Sequence, residues 1–180
     1  MDKIIIEKYS EEWPIIFKKF GQSIRDELGE IALRIDHIGS TSIPNMSSKP
    51  IIDIQISVTQ LEPADPYRIP LEKIGYVFRE KNPDKTKRYF RESLGDKRTH
   101  IHVRKIGSWH QQFPLLFRDY LRQNVVDTKL YESEKYRLAG IYSENRVAYV
   151  EAKNKIIWEI MFRADRWASE IGWNDGDSDI

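Results

Sequence analysis

Two segments rich in Ile and Val, residues 31–38 and 51–58, enclose a run of turn and hydroxyl residues, Gly39-Ser40-Thr41-Ser42-Ile43-Pro44-Asn45-Met46-Ser47-Ser48-Lys49-Pro50. β-Branched runs bounded by Gly, Ser and Pro predict strand, polar loop, strand. The chain is thereby committed to a sheet with a long polar connection between two of its strands. Asp53 and Gln55 lie inside the second strand. Residues two apart on a strand share a face, so these side chains point the same way.

Around this pair the remaining elements read in order. Residues 4–6 form an edge strand. Ser10 stands where a helix N-cap belongs, and Trp13, Ile16, Phe17, Phe20, Ile24 and Leu28 then recur at helical spacing, with Gly29 as the stop. Pro63, Pro66 and Pro70 mark a loop leading to a short helix at 71–74, ended by Gly75. Residues 76–79, 88–93 and 99–105 alternate as strands, the last two joined by a hairpin at Gly95-Asp96.

From Ser108 the period becomes helical, with Trp109, Phe113, Leu116, Phe117, Tyr120 and Leu121 on one stripe. A second helix covers 126–141. A long third helix after Ser143 carries Val147, Val150, Ile156, Ile157, Ile160, Met161, Ala164 and Trp167 and is expected to dock across the sheet. Trp13, Phe17, Phe117, Ile157 and Ile160 are the expected core. Strands followed by helices predict an α+β fold, one mixed sheet with helices packed on it. Residues 1–172 form one domain and 173–180, with Asp175, Asp177 and Asp179, an acidic flexible tail.

The chain has 180 residues, enough for one sizeable core, with 40% hydrophobic residues, five Trp, nine Tyr and seven Phe. The absence of cysteine excludes disulfides, thiolate metal ligands and a thiol nucleophile, and fits a cytoplasmic setting. The Ile4-Ile5-Ile6 run near the start, preceded by Asp2, is too short for a signal-peptide core or a membrane span. A net charge of +1 gives no global attraction to nucleic acid or membrane.

The segments His37-Ile38-Gly39-Ser40-Thr41-Ser42-Ile43-Pro44 and Lys49-Pro50-Ile51-Ile52-Asp53-Ile54 resemble the signature of the GrpB family, as do His100-Ile101-His102-Val103, residues 117–122, and Ala148-Tyr149 with Ala152-Lys153. The resemblance implies a nucleotidyltransferase-like fold. That superfamily places a hydrophobic residue, Gly and Gly or Ser before two carboxylates spaced by one residue on a strand. Here these positions hold Ile38, Gly39 and Ser40, then Asp53 and Gln55.

Glycine admits backbone N–H groups to a phosphate, and paired acids hold magnesium ions that bridge phosphate oxygens. The resemblance therefore implies binding of a nucleotide or another phosphorylated small molecule. Asp53, Gln55 and His102 are the candidate catalytic residues; Gly39, Ser40, Thr41, Ser42, Lys49, Arg88, His100, Arg118 and Lys153 are the candidate phosphate ligands. Mg2+ is the expected cofactor, held by Asp53, with His37 as a further candidate metal ligand. Gln55 is the departure: an amide carries no charge with which to hold a second cation, so nucleotidyl transfer is expected to be weak or lost.

Two alternatives stand beside this reading. GrpB-like domains also occur fused to dephospho-CoA kinase, which implies a non-catalytic interaction or folding-helper module. His37, His100 and His102 near Asp53 suit either hydrogen bonding to phosphate or to Asp53, or a transition metal in a metalloenzyme. The basic run between Lys81 and Lys105 reads as a solvated strand pair, or as a funnel for polyphosphate or, less favoured, RNA, with Tyr89 and Phe90 stacking a base. Asp53, Ser40 and His102 are expected to line one cleft.

Overall fold

A computed structural model describes residues 3–93, 95 and 97–180. Five strands form one mixed sheet in the order β1-β2-β5-β4-β3, where β1 is Arg34–Ile38, β2 Ile52–Val58, β3 Tyr76–Phe78, β4 Arg88–Glu92 and β5 Thr99–Lys105. Only β2 and β5 run parallel; the other pairs are antiparallel. The helices are α1 (Glu12–Leu28), α2 (Asp65–Lys73), α3 (Trp109–Gln123), α4 (Val125–Ile141) and α5 (Arg146–Ile171). The α+β expectation holds.

The period of two divides the sheet into unlike faces. Ile35, Ile52, Ile54, Ile56, Val58, Phe90, Ile101 and Val103 form an apolar face, covered by Trp13, Phe17, Ile24 and Leu28 of α1 and by Tyr67 and Leu71 of α2. The other face carries Asp36, Asp53, Gln55, Ser57, His100 and His102.

Side-chain oxygens take up first-turn amides at the starts of α1, α3, α4 and α5. Ser10 Oγ accepts from the Glu12 amide, Ser108 Oγ from Gln111, and Asn124 and Asn145 side chains from Asp127 and Ala148. Pro66 sits in the first turn of α2, where no intrahelical N–H is required, so the helix begins well before the expected 71–74; Pro70 lies inside it and leaves one i→i−4 hydrogen bond unmade.

Further expectations are corrected. Residues 4–6 form no strand: Ile4 is buried against Leu138, Ala139 and Tyr149, and pairing is limited to a bridge between Glu7 and Ser48. The long helix α5 does not cross the sheet. Its buried Ile156, Ile160, Met161 and Ala164 join Leu116, Tyr120, Leu121 and Tyr131 of α3 and α4, and Ile43 and Met46 of the polar loop, in a second core. The apolar face of the sheet is already covered, the opposite face is polar, and Val147, Val150 and Trp109 are consequently left exposed. Phe117 and Ile157 flank the second core only partly buried, while Trp13, Phe17 and Ile160 are fully enclosed.

Residues 173–180 do not fray. Ser178 Oγ accepts from the Ile35 amide, Asp179 Oδ2 from the His37 amide, and the Ile180 amide donates to the Ile35 carbonyl, so the segment lies along the free edge of β1. Arg34 donates to the carbonyls of Asp175, Gly176 and Asp177, and the Ile180 side chain packs against the first core. Of the expected hairpin turn at Gly95-Asp96, Gly95 has φ +93°, and Asp96 lies outside the described residues, as do Asp2 and Leu94.

Phe90 is fully buried and meets Tyr67 and Phe78 at ring-centroid distances of 6.4 and 4.9 Å. Phe90→Ala is expected to lower unfolding free energy by about 3–5 kcal/mol, read as a shifted urea midpoint at unchanged slope.

Candidate functional site

The parallel register of β2 and β5 places Asp53 beside His100 and Gln55 beside His102. Asp53 Oδ1 lies 3.2 Å from His100 Nδ1 and 3.3 Å from His102 Nε2. Burial works to raise the Asp53 carboxyl, but the hydrogen bonds from the two imidazoles outweigh it and hold the group well below the usual carboxylate range. Burial pushes His102 down to about 4 despite its Asp53 bond, so the ring is neutral at pH 7. His100 Nε2 and His102 Nδ1 are buried without a partner among the described residues. Tyr89 of β4 packs against both imidazoles, at 5.5 and 5.3 Å.

Gly39 brings the polar loop onto this carboxylate. It has φ +73°, and a Cβ there would stand 2.6 Å from Asp53 Oδ2, so close approach and backbone conformation both require glycine.

A cleft of about 360 Å³ opens above Asp53, with Ser40, Ser48, Lys49, Lys87, Tyr89, His100 and His102 on one side and Lys135, Arg146, Tyr149, Val150 and Lys153 from α4 and α5 on the other. Among the described residues Asp53 is its one carboxylate against Lys49, Lys87, Lys135, Arg146 and Lys153. Among the described residues no carboxylate lies within ion-pair distance of Lys49, Lys135, Arg146 or Lys153, while Lys87 meets Asp84 at 3.5 Å.

The ammonium groups of Lys49 and Lys153 each stand 5.0 Å from the Tyr149 ring centroid. Burial, then Lys153 and Arg146, push Lys49 down to about 8. Burial and Lys153 push Lys135, which donates to the Ser47 carbonyl, down to about 7.

The cleft thus brings together Ser40, Lys49, Asp53, His100, His102 and Lys153. Other candidates lie elsewhere. Thr41 Oγ1 bonds the Ile51 carbonyl and His37 Nε2, and Ser42 Oγ bonds the Gly39 carbonyl, so both hydroxyls hold the loop together.

His37 projects to the opposite face, stacked on Phe17 at 4.6 Å, and burial pushes it down to about 3. Arg88 also lies on that face, bonded to Glu62. Arg118 is buried and ties the His37 carbonyl to Asp119 and Asp179. Phe90 belongs to the core, which leaves Tyr89 alone of the two aromatics at the cleft. Sequence reasoning missed Arg146 and Lys135. Lys135 falls on the face of α4 that buries Tyr131, Leu138 and Ala139, and a lysine at that spacing was the available signal.

Gln55 points toward Asp53's face but is fully buried beneath α3, its Nε2 donating to the Gln111 carbonyl at 2.9 Å and its Oε1 without a partner among the described residues. It offers no ligand to the cleft. Magnesium prefers several oxygen ligands in octahedral array, whereas here one carboxylate is flanked by two imidazoles. The residues present do not fit the two-magnesium arrangement.

The fold is nucleotidyltransferase-like: Cid1, solved in complex with its short product ApU, superposes with a TM-score of 0.50 at 13% identity, over 72% of this chain and 42% of its own. The conserved protein GrpB from Enterococcus faecalis superposes with a TM-score of 0.78 at 30% identity, over 88% of this chain and 98% of that one. The chain belongs to the GrpB family, whose model, described as GrpB protein, matches residues 3–163. A curated relative, UPF0157 protein BH1888 from Halalkalibacterium halodurans, is 37% identical over 90% of this chain and 83% of its own length. No helix among the described residues is long and apolar enough to cross a membrane.

Two substitutions probe this geometry. Gly39→Ala is expected to cost about 1–3 kcal/mol, read by thermal melting, because an L-residue is strained at that φ and its Cβ collides with Asp53. Gln55→Asp is expected to destabilise by about 3 kcal/mol or more at pH 7, with recovery as pH falls, since an uncompensated carboxylate would be buried opposite Asp36. Calorimetry in magnesium should show no new binding.

Proposed function

We propose that the cleft above Asp53 binds the phosphate groups of a nucleotide or another phosphorylated small molecule. The observation that carries this reading is the charge imbalance of the lining, five cations against one carboxylate, with Lys49, Lys135, Arg146 and Lys153 lacking acidic partners among the described residues. Gathering unpaired cations in a half-enclosed space costs free energy through desolvation and mutual repulsion. An anionic ligand relieves the repulsion and offsets the desolvation with charge-assisted hydrogen bonds. Lys49 and Lys153 both stand against the Tyr149 ring and can serve separate phosphate oxygens, with the Ser40 hydroxyl of the lining as a further donor.

Membership of the GrpB family and a nucleotidyltransferase-like fold support a nucleotide as the ligand. Nucleic acid is less favoured, because the cations line a bounded cleft and the net charge is +1. With one carboxylate in the cleft, nucleotidyl transfer through paired magnesium ions is no part of this reading.

Calorimetric titration with inorganic tripolyphosphate, ATP and adenosine tests the proposal. The two phosphate compounds are expected to bind and adenosine not, with Lys49→Ala and Lys153→Ala each weakening binding by roughly tenfold, as for loss of a charge-assisted bond. Affinity is expected to fall as pH rises from 6 to 9, because Lys135 and then Lys49 lose their protons in the free protein at about 7 and 8. Near pH 8 binding should take up protons, seen as a buffer-dependent enthalpy. Absence of binding, or equal binding by the Lys49→Ala/Lys153→Ala protein, would overturn the reading.

A further inference from the structure

The misfit to magnesium leaves the cluster at the floor of the cleft without an assigned role. Asp53, His100 and His102 each offer one ligand atom, and the three atoms lie within 4.8 Å of one another. Ligand atoms on a divalent transition metal stand about 2.0–2.2 Å from the ion, so neighbouring ligands are separated by roughly 3.0 Å in an octahedral and 3.4 Å in a tetrahedral shell. The two nitrogen-to-oxygen separations, 3.2 and 3.3 Å, fall in that interval.

The geometry points to a divalent transition-metal site formed by Asp53 Oδ1, His100 Nδ1 and His102 Nε2, with its remaining coordination positions facing the cationic cleft. Two imidazoles and one carboxylate suit zinc, iron or manganese, whereas magnesium takes oxygen donors. The ligands come from adjacent central strands, which hold them more precisely than loops would. Close packing of Gly39 against Oδ2 sets the orientation of the carboxylate, so that Oδ1 faces the imidazoles. Side-chain exposures of 28% for Asp53, 10% for His100 and 14% for His102 leave an entry path from the cleft. This inference does not depend on the phosphate reading.

The test uses full-length protein without a histidine tag, stripped with chelator and titrated with Co2+ in phosphate-free buffer. One Co2+ per chain is expected, with visible d–d absorption, displaced by Zn2+ and unaffected by excess Mg2+. His100→Gln, His102→Gln and Asp53→Asn should each weaken binding by about tenfold or more, whereas exposed His110→Gln should leave it unchanged.

Circular dichroism establishes that each variant is folded, and the wild-type titration decides the matter where one is not. No stoichiometric Co2+ or Zn2+ binding to the folded wild-type chain, or undiminished binding in folded His102→Gln, would overturn the proposal. Because phosphate is absent, failure here leaves the tripolyphosphate result standing, and the reverse also holds.

Discussion

The parallel pairing of β2 with β5 is the interaction on which the rest depends. It sets Ile52, Ile54, Ile56 and Val58 beside Ile101 and Val103 on one face, and Asp53 beside His100 on the other. A slip of one residue would turn the isoleucines out of the first core and bury the acid and imidazoles in their place. The same register therefore holds the hydrophobic layer and the polar cluster. Since parallel strands need a long crossover, the chain between them, with α2, β3 and β4, also supplies the cover of the apolar face and Tyr89 at the cleft.

Much of this was legible in the residues. β-Branched runs located β1 and β2, alternation located β3, β4 and β5, and apolar spacing located α1, α3 and α5 to within a few positions, with α4 read as the segment between the last two. The shared face of Asp53, His100 and His102 followed from alternation once the two strands were adjacent. Other features depended on partners that no local pattern reveals. Residues 4–6 look like a strand because isoleucine suits one, yet tertiary burial against α4 and α5 prevailed over that propensity. Prolines at 66 and 70 read as loop because their place within a helix turn was not apparent.

The cleft was half legible for a similar reason. Lys49 and Lys153 stand in recognisable segments, but Lys135 and Arg146 reach the site only through the packing of α4 and α5 on α3. Thr41, Ser42, Arg118 and His37 have the chemistry of ligands and spend it on the scaffold, satisfying backbone groups of the loop and of β1. Only knowledge of where each polar group is bonded separates a donor awaiting a ligand from one already used.

The docking of residues 173–180 along β1 has a consequence for association between molecules. An open strand edge presents unpaired N–H and C=O groups to any other extended chain. At β1 the outward amides of Ile35 and His37 and the Ile35 carbonyl are taken by Ser178, Asp179 and Ile180. The opposite edge is β3, only three residues long. A sheet so bordered offers little purchase for growth by strand addition, and proteolytic trimming of the acidic segment would convert a closed border into an adhesive one.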